Sequence, residues 1–226
     1  AFMYLSQVFR SQGLIENSLR VLEEGVGNNP KSFPLLSAYG LLSVTSGKLD
    51  QGIESLKKAV SLYDSDPEVW NYLGVAYWRK GEYQKALEHY KKGLSLDNSK
   101  GLLFSNLGAL YLSFFFETKK SDDLDQAIKY FENAVRLEPG LNIAYRGLGV
   151  ALKLSDKIDR AIEAWEKALN INPDDDFSIY NLGLVHLQKG EKARALGYFE
   201  RYLTLKEKDL SLEDKRKIEA LIKKCR

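Results

Sequence analysis

The residues in this 226-residue chain that could do chemistry are two histidines, one cysteine and one run of three aspartates. A transition-metal site needs several imidazole or thiolate ligands brought together by short helical or turn spacings. His89 and His186 are far apart in sequence, and neither has a second His or a Cys near it. Cys225 is the single cysteine, which excludes an internal disulfide or a thiol-ligated zinc within one chain. It is expected to be an incidental free thiol on a frayed helix end. Asp174-Asp175-Asp176 presents three carboxylates, but it follows Asn172-Pro173 and opens a helix. There acidic side chains cap free amide hydrogens and complement the positive dipole end, so capping is the expected role. The sequence contains no glycine-rich phosphate loop and no nucleophile elbow. No enzymatic activity, metal or cofactor is expected.

The glycines serve packing instead. A Leu-Gly pair returns at Leu73-Gly74, Leu107-Gly108, Leu148-Gly149 and Leu182-Gly183, and the first two and last two pairs are each 34 residues apart. Three of them are followed about a dozen residues later, and the one at Gly108 after 19, by an alanine and then a bulky ring: Ala86 and Tyr90, Ala127 and Phe131, Ala161 and Trp165, Ala195 and Phe199. A fixed period in this range signifies stacked supersecondary units rather than a single core. The clearest unit begins at Asp66-Pro67, an N-cap acceptor followed by a proline at the first helical position. Trp70, Leu73, Gly74 and Tyr77 share one helical face; Gly81 breaks the pattern, and Tyr83, Ala86, Leu87, Tyr90, Gly93 and Leu94 form a second. A mid-helix glycine costs about 1 kcal/mol against alanine. Its recurrence at one phase predicts a partner helix too close to admit a side chain.

These coupled positions resemble the tetratricopeptide repeat. At the family's Leu-Gly glycine the chain reads Ser6, Gly40, Gly74, Gly108, Gly149 and Gly183; at its alanine, Ser18, Gly52, Ala86, Ala127, Ala161 and Ala195; at its second aromatic, Leu22, Leu56, Tyr90, Phe131, Trp165 and Phe199. The resemblance covers residues 1–209 and implies an all-α, right-handed α-solenoid of helix-turn-helix repeats. The expected repeats span about 1–32, 33–66, 67–100, 101–141, 142–175 and 176–209, with a capping helix over 210–226. Ser211 to Asp214 reads as the capping-box start of that last helix. The fourth repeat carries about seven extra residues around Phe114-Phe115-Phe116 and Thr118 to Ser121. They predict a prolonged first helix, with Ser121 or Asp122 capping the next. The three phenylalanines read either as a docking prong or as rings leaning on neighbouring turns. His186 falls where the family packs an aromatic, which makes it a packing residue; His89 is expected on a solvated outer face.

Lys and Arg total 33 against 31 acidic residues, for a net charge of +2. That balance argues against a nucleic-acid partner, which would call for a basic stripe. No apolar run approaches the ~20 residues needed to span a bilayer, so no membrane insertion is expected. In the family, first helices line a concave groove. Carried over, the resemblance places Leu41, Asn71, Val75, Trp78, Asn106, Leu112, Arg146, Val150, Tyr180 and Leu184 on it. Such a contiguous apolar surface usually marks an interaction site, and Trp, Tyr and Arg dominate hot spots. A co-chaperone subtype clamps acidic C-termini with Lys, Arg and Asn; here the matching positions read Asn71, Val75, Asn106, Ile143 and Gly147, without the basic half. The expected function is therefore a protein–protein interaction scaffold that takes a peptide or helix of a partner. The alternative is a regulatory or substrate-recruiting C-terminal module of a larger enzyme. Phe2, Met3, Tyr4, Leu5 and Phe9 face the start of the array with no polar cap, which predicts an upstream neighbour or self-association through the N-terminal repeat.

Overall fold

The computed structural model describes residues 1–226 and contains thirteen α-helices and no strand. In chain order, α1 Phe2–Ser11 packs with α2 Ile15–Asn28, α3 Phe33–Thr45 with α4 Leu49–Leu62 and α5 Pro67–Arg79 with α6 Tyr83–Leu96; α7 Gly101–Thr118 and α8 Ser121–Leu137 follow; α9 Asn142–Leu154 packs with α10 Ile158–Ile171 and α11 Asp176–Gln188 with α12 Lys192–Lys206, and α13 Leu212–Cys225 comes last. The chain divides into two compact units, Ala1–Ser113 and Phe114–Arg226, with the division inside α7.

Turn chemistry explains the helix limits. Gly47, Gly81 and Gly190 take positive φ between paired helices, and the amides of Gly81 and Glu82 then bond back to the carbonyls of Trp78 and Tyr77, both at 2.9 Å. Asp156 makes the same turn between α9 and α10 at φ 59°, a region that favours glycine. At the starts, Asp66 accepts from the Glu68 amide at 2.8 Å, Asp175 from Ser178 at 3.0 Å and Ser211 from Asp214 at 3.1 Å. The start of α8 departs from expectation. Neither Ser121 nor Asp122 caps it; Lys120 precedes the helix with no side-chain cap, and Thr118 instead bonds the Asp123 carboxylate at 2.7 Å. The inserted residues are shared between helices, α7 reaching 18 residues and α8 17 where α5 and α6 have 13 and 14.

In unit 1 the second and third pairs close through glycine. A Cβ on Gly74 would lie 2.5 Å from the Tyr90 ring, and one on Gly40 would lie 2.6 Å from Leu56. Ala86 and Tyr90 are fully buried against this contact. The second pair also uses Gly52, where an added Cβ would meet Val44 at 2.6 Å. The first pair has neither glycine nor alanine at these places. Ser6 and Ser18 are buried there, and their hydroxyls bond each other at 2.8 Å while Ser18 also donates to the Ser6 carbonyl at 3.0 Å. Two small hydroxyls thus satisfy one another where the other pairs bring backbones together, since an unpaired buried hydroxyl would be costly. In unit 2 Gly183 meets Phe199 in the same way, at 2.6 Å, and Gly149 faces the Trp165 indole. α13 closes unit 2: Ile218, Ile222 and Cys225 form a buried cluster with Ala195 and Phe199. Cys225 is therefore a small core side chain rather than a thiol on a frayed end, because it falls on the same face of α13 as Ile218 and Ile222.

His89 also differs from its expected solvated place. Its ring lies between Trp70 and Tyr77, with centroids 5.5 and 5.1 Å away and planes inclined by 24° and 15°. Burial, reinforced by Lys57 and Lys85, holds its pKa below the usual histidine value, although Glu88 opposes the shift.

Three outcomes follow from this packing. Gly74→Ala is expected to destabilise the protein by about 2 kcal/mol in chemical denaturation, despite the helix propensity gained, because the Tyr90 ring must move. Asp156→Gly is expected to raise stability by about 1 kcal/mol in the same assay, by relieving a left-handed aspartate. For His89 the folded pKa lies below the unfolded value of about 6.5, so below that pH the unfolded chain binds more protons. The melting temperature should therefore fall as the pH drops from about 6.5 through the folded pKa. Subtracting the His89→Phe curve isolates this contribution; identical wild-type and variant slopes would refute it.

Candidate functional site

First helices of unit 1 meet their counterparts one repeat away, and polar side chains mark the contact. In unit 1 the Asn106 amide donates to Asn71 Oδ1 at 2.8 Å, the Trp78 indole N–H donates to Ser113 Oγ at 2.8 Å, and the Arg79 guanidinium donates to the Val44 carbonyl at 2.5 Å. Each joins the first helix of one pair to the first helix of the next across 35 residues. These bonds hold a layer of first helices, α3, α5 and α7, in fixed register. Leu41, Val75, Trp78 and Asn106 are half-buried on it. The Trp78 ring is oriented by its own N–H bond to Ser113.

Two expected contacts behave differently. Asn71 is 5% exposed and Leu112 8% exposed, so both support the layer from beneath instead of displaying their side chains. Asn71 is held there by the hydrogen bond it accepts from Asn106.

Unit 2 has its own constellation. Arg146 lies 3.4 Å from the Asp175 carboxylate and 4.6 Å over the Phe177 ring, which leaves the guanidinium half-buried and fixed. Asp175 is 3% exposed, and its second oxygen caps α11, so the buried charge is both paired and hydrogen-bonded. Val150 is half-buried on α9. Tyr180 and Leu184 pack against the cluster of Ala195, Phe199, Ile218, Ile222 and Cys225, with Tyr180 also 5.3 Å from Tyr202. Those two side chains thus contribute to the closure by α13, and only their outer edges face solvent.

Sequence reasoning passed over the histidine stacks. Tyr77 with His89 and His186 with Tyr198 occupy equivalent repeat positions with the two residue types exchanged. His186 lies flat on Tyr198, at 5.5 Å and 4°, and its Nδ1 bonds Glu191 at 2.8 Å. The signal was present: an aromatic or histidine recurs at both positions on facing helices. No group of three His, Cys, Asp or Glu side chains is arranged to hold a metal ion, and no helix is long and apolar enough to cross a membrane.

Comparison with known proteins now adds to this geometry. Tetratricopeptide repeat family models match residues 67–100, 40–81 together with 155–190, 178–213 and 119–140. No curated protein matches the chain. Among solved structures, MamA superposes with a TM-score of 0.61 at 25% identity, over 74% of this chain and 94% of that one. The APC/C hetero-tetramer Cut9-Hcn1 gives 0.82 at 19% identity over 99% of this chain and 42% of that chain, and pilF of Pseudomonas aeruginosa gives 0.77 at 17% over 97% and 95%. The latter two show a shared fold. With its paired helices, its glycine-to-ring contacts and matches over more than half its length, the chain belongs to the tetratricopeptide repeat family.

Proposed function

We propose that the first-helix layer of unit 1 is the surface through which this scaffold takes a peptide or helix of a protein partner. Tetratricopeptide repeats serve protein–protein interaction. The observation that carries the finer reading is Trp78: a half-buried indole, locked by Ser113, flanked by half-buried Val75 on the same helix and with Leu41 on the neighbouring first helix. Apolar contact with a pre-oriented aromatic is what concentrates binding energy at interfaces. Asn106 adds a polar group beside it, and its amide is already oriented by Asn71. In unit 2, Arg146 and Val150 offer a second, more polar patch, with the guanidinium held in place by Asp175 and Phe177.

A partner isolated on the wild-type protein should lose about 2 kcal/mol of affinity, close to thirtyfold, with Trp78→Ala. Glu88→Ala, on α6, should leave its affinity unchanged. Isothermal titration with both variants, after far-UV circular dichroism has shown intact helices, decides the matter. An affinity indifferent to Trp78 and sensitive to Glu88 would place the interface on the second helices instead.

A further inference from the structure

A recess of about 500 Å³ opens in unit 2 beside α12, bordered by α10 and α11. It exists because α12 carries Ala193 and Gly197 one turn apart; a Cβ added to Gly197 would meet nothing within 4 Å. Its walls are polar. Arg194 and Arg201 border it from α12, as does the Tyr198 ring, and Glu166 stands on the α10 side. His186, from α11, completes it and is 3% exposed.

The imidazole is held in one orientation. Tyr198 lies parallel to it, and Nδ1 is committed to the Glu191 carboxylate at 2.8 Å. Nε2 is the ring nitrogen not bonded to Glu191. In the neutral ring an N–H at Nδ1 makes Nε2 an acceptor; protonation turns Nε2 into a donor. The arginines supply the cationic complement. Arg194 is partly neutralised by Glu191 at 3.1 Å, whereas Arg201 donates to a neutral group, the Pro173 carbonyl, so its charge faces no carboxylate at bonding distance. The Tyr198 hydroxyl sits among these charges: burial and then Glu166 raise its pKa, and Arg201 and Arg194 lower it.

We propose that this recess binds an oxyanion, the carboxylate or phosphate of a side chain on a protein partner. Arg201 supplies the charge, and the His186 ring forms part of the wall beside it. The site is separate from the first-helix layer and does not depend on it.

The chain has two histidines, so each ring can be followed separately by long-range ¹H–¹⁵N correlation. Wild-type protein is titrated with inorganic phosphate and, separately, with the amide of N-acetylglutamate, at constant ionic strength and constant pH. The expected result is a saturable chemical-shift change at His186 with at least one probe, while His89 stays still. A response to phosphate alone assigns the site to phosphorylated side chains, and a response to the glutamate probe assigns it to acidic ones. Arg201→Gln should weaken the response about tenfold or more. Gly197→Leu should abolish it by filling the recess, with His89 signals and helicity unchanged. Parallel shifts at both histidines, no response at His186, or undiminished binding in both variants would overturn the proposal.

Discussion

At Gly74 the Tyr90 ring occupies the space a Cβ would need, 2.5 Å away, and the same exclusion recurs at Gly40 against Leu56 and at Gly183 against Phe199. A helix pair can bury a whole ring only if the facing helix gives up a side chain at that height. The glycine costs about 1 kcal/mol of helix propensity, while burial of a large ring returns roughly 1.5–3 kcal/mol and excludes water from the contact. Ala86, Ala161 and Ala195 make the same concession from the other helix, and all three are fully buried. Where the first pair lacks this arrangement, Ser6 and Ser18 close the gap by bonding one another.

Once each pair is closed, the spacing between pairs decides what the surface can display. Bonds from Asn106 to Asn71, Trp78 to Ser113 and Arg79 to Val44 all span 35 residues. A repeated register thus becomes a row of equivalent places on neighbouring first helices, and half-buried side chains at those places acquire fixed directions. A similar rule operates at the turns. Lys80 reaches Asp50 at 2.6 Å in unit 1 and Lys189 reaches Asp159 at 2.6 Å in unit 2, each from one inter-helix turn to the second helix of the preceding pair. Such exposed pairs contribute little energy individually. They do show how a single local geometry is written twice.

The exchanged stacks illustrate variation within that geometry. Tyr77 and His89 in one repeat become His186 and Tyr198 in another, and both keep parallel rings about the same distance apart. The exchange alters chemistry without altering packing. His89 is wedged between two aromatic rings beside lysines, whereas His186 is buried with a carboxylate on Nδ1 and borders a recess.

The sequence by itself determined the helices, their pairing and the family. Those follow from local rules: glycine and alanine at one phase, rings at another, Asp66, Asp175 and Ser211 at helix starts, and positive-φ glycines at turns. It also placed Trp78 and Val75 on a first helix, because helical periodicity fixes which side chains share a face. Only the tertiary structure decided how exposed each of them is. Asn71 and Leu112 are buried, and Tyr180 and Leu184 pack into the cluster that α13 completes. The burial of Cys225, the sandwich around His89 and the recess beside Gly197 were equally out of reach. Each depends on the side chains of two or three elements distant in sequence, and a periodic pattern records the face of a residue without recording what lies opposite it.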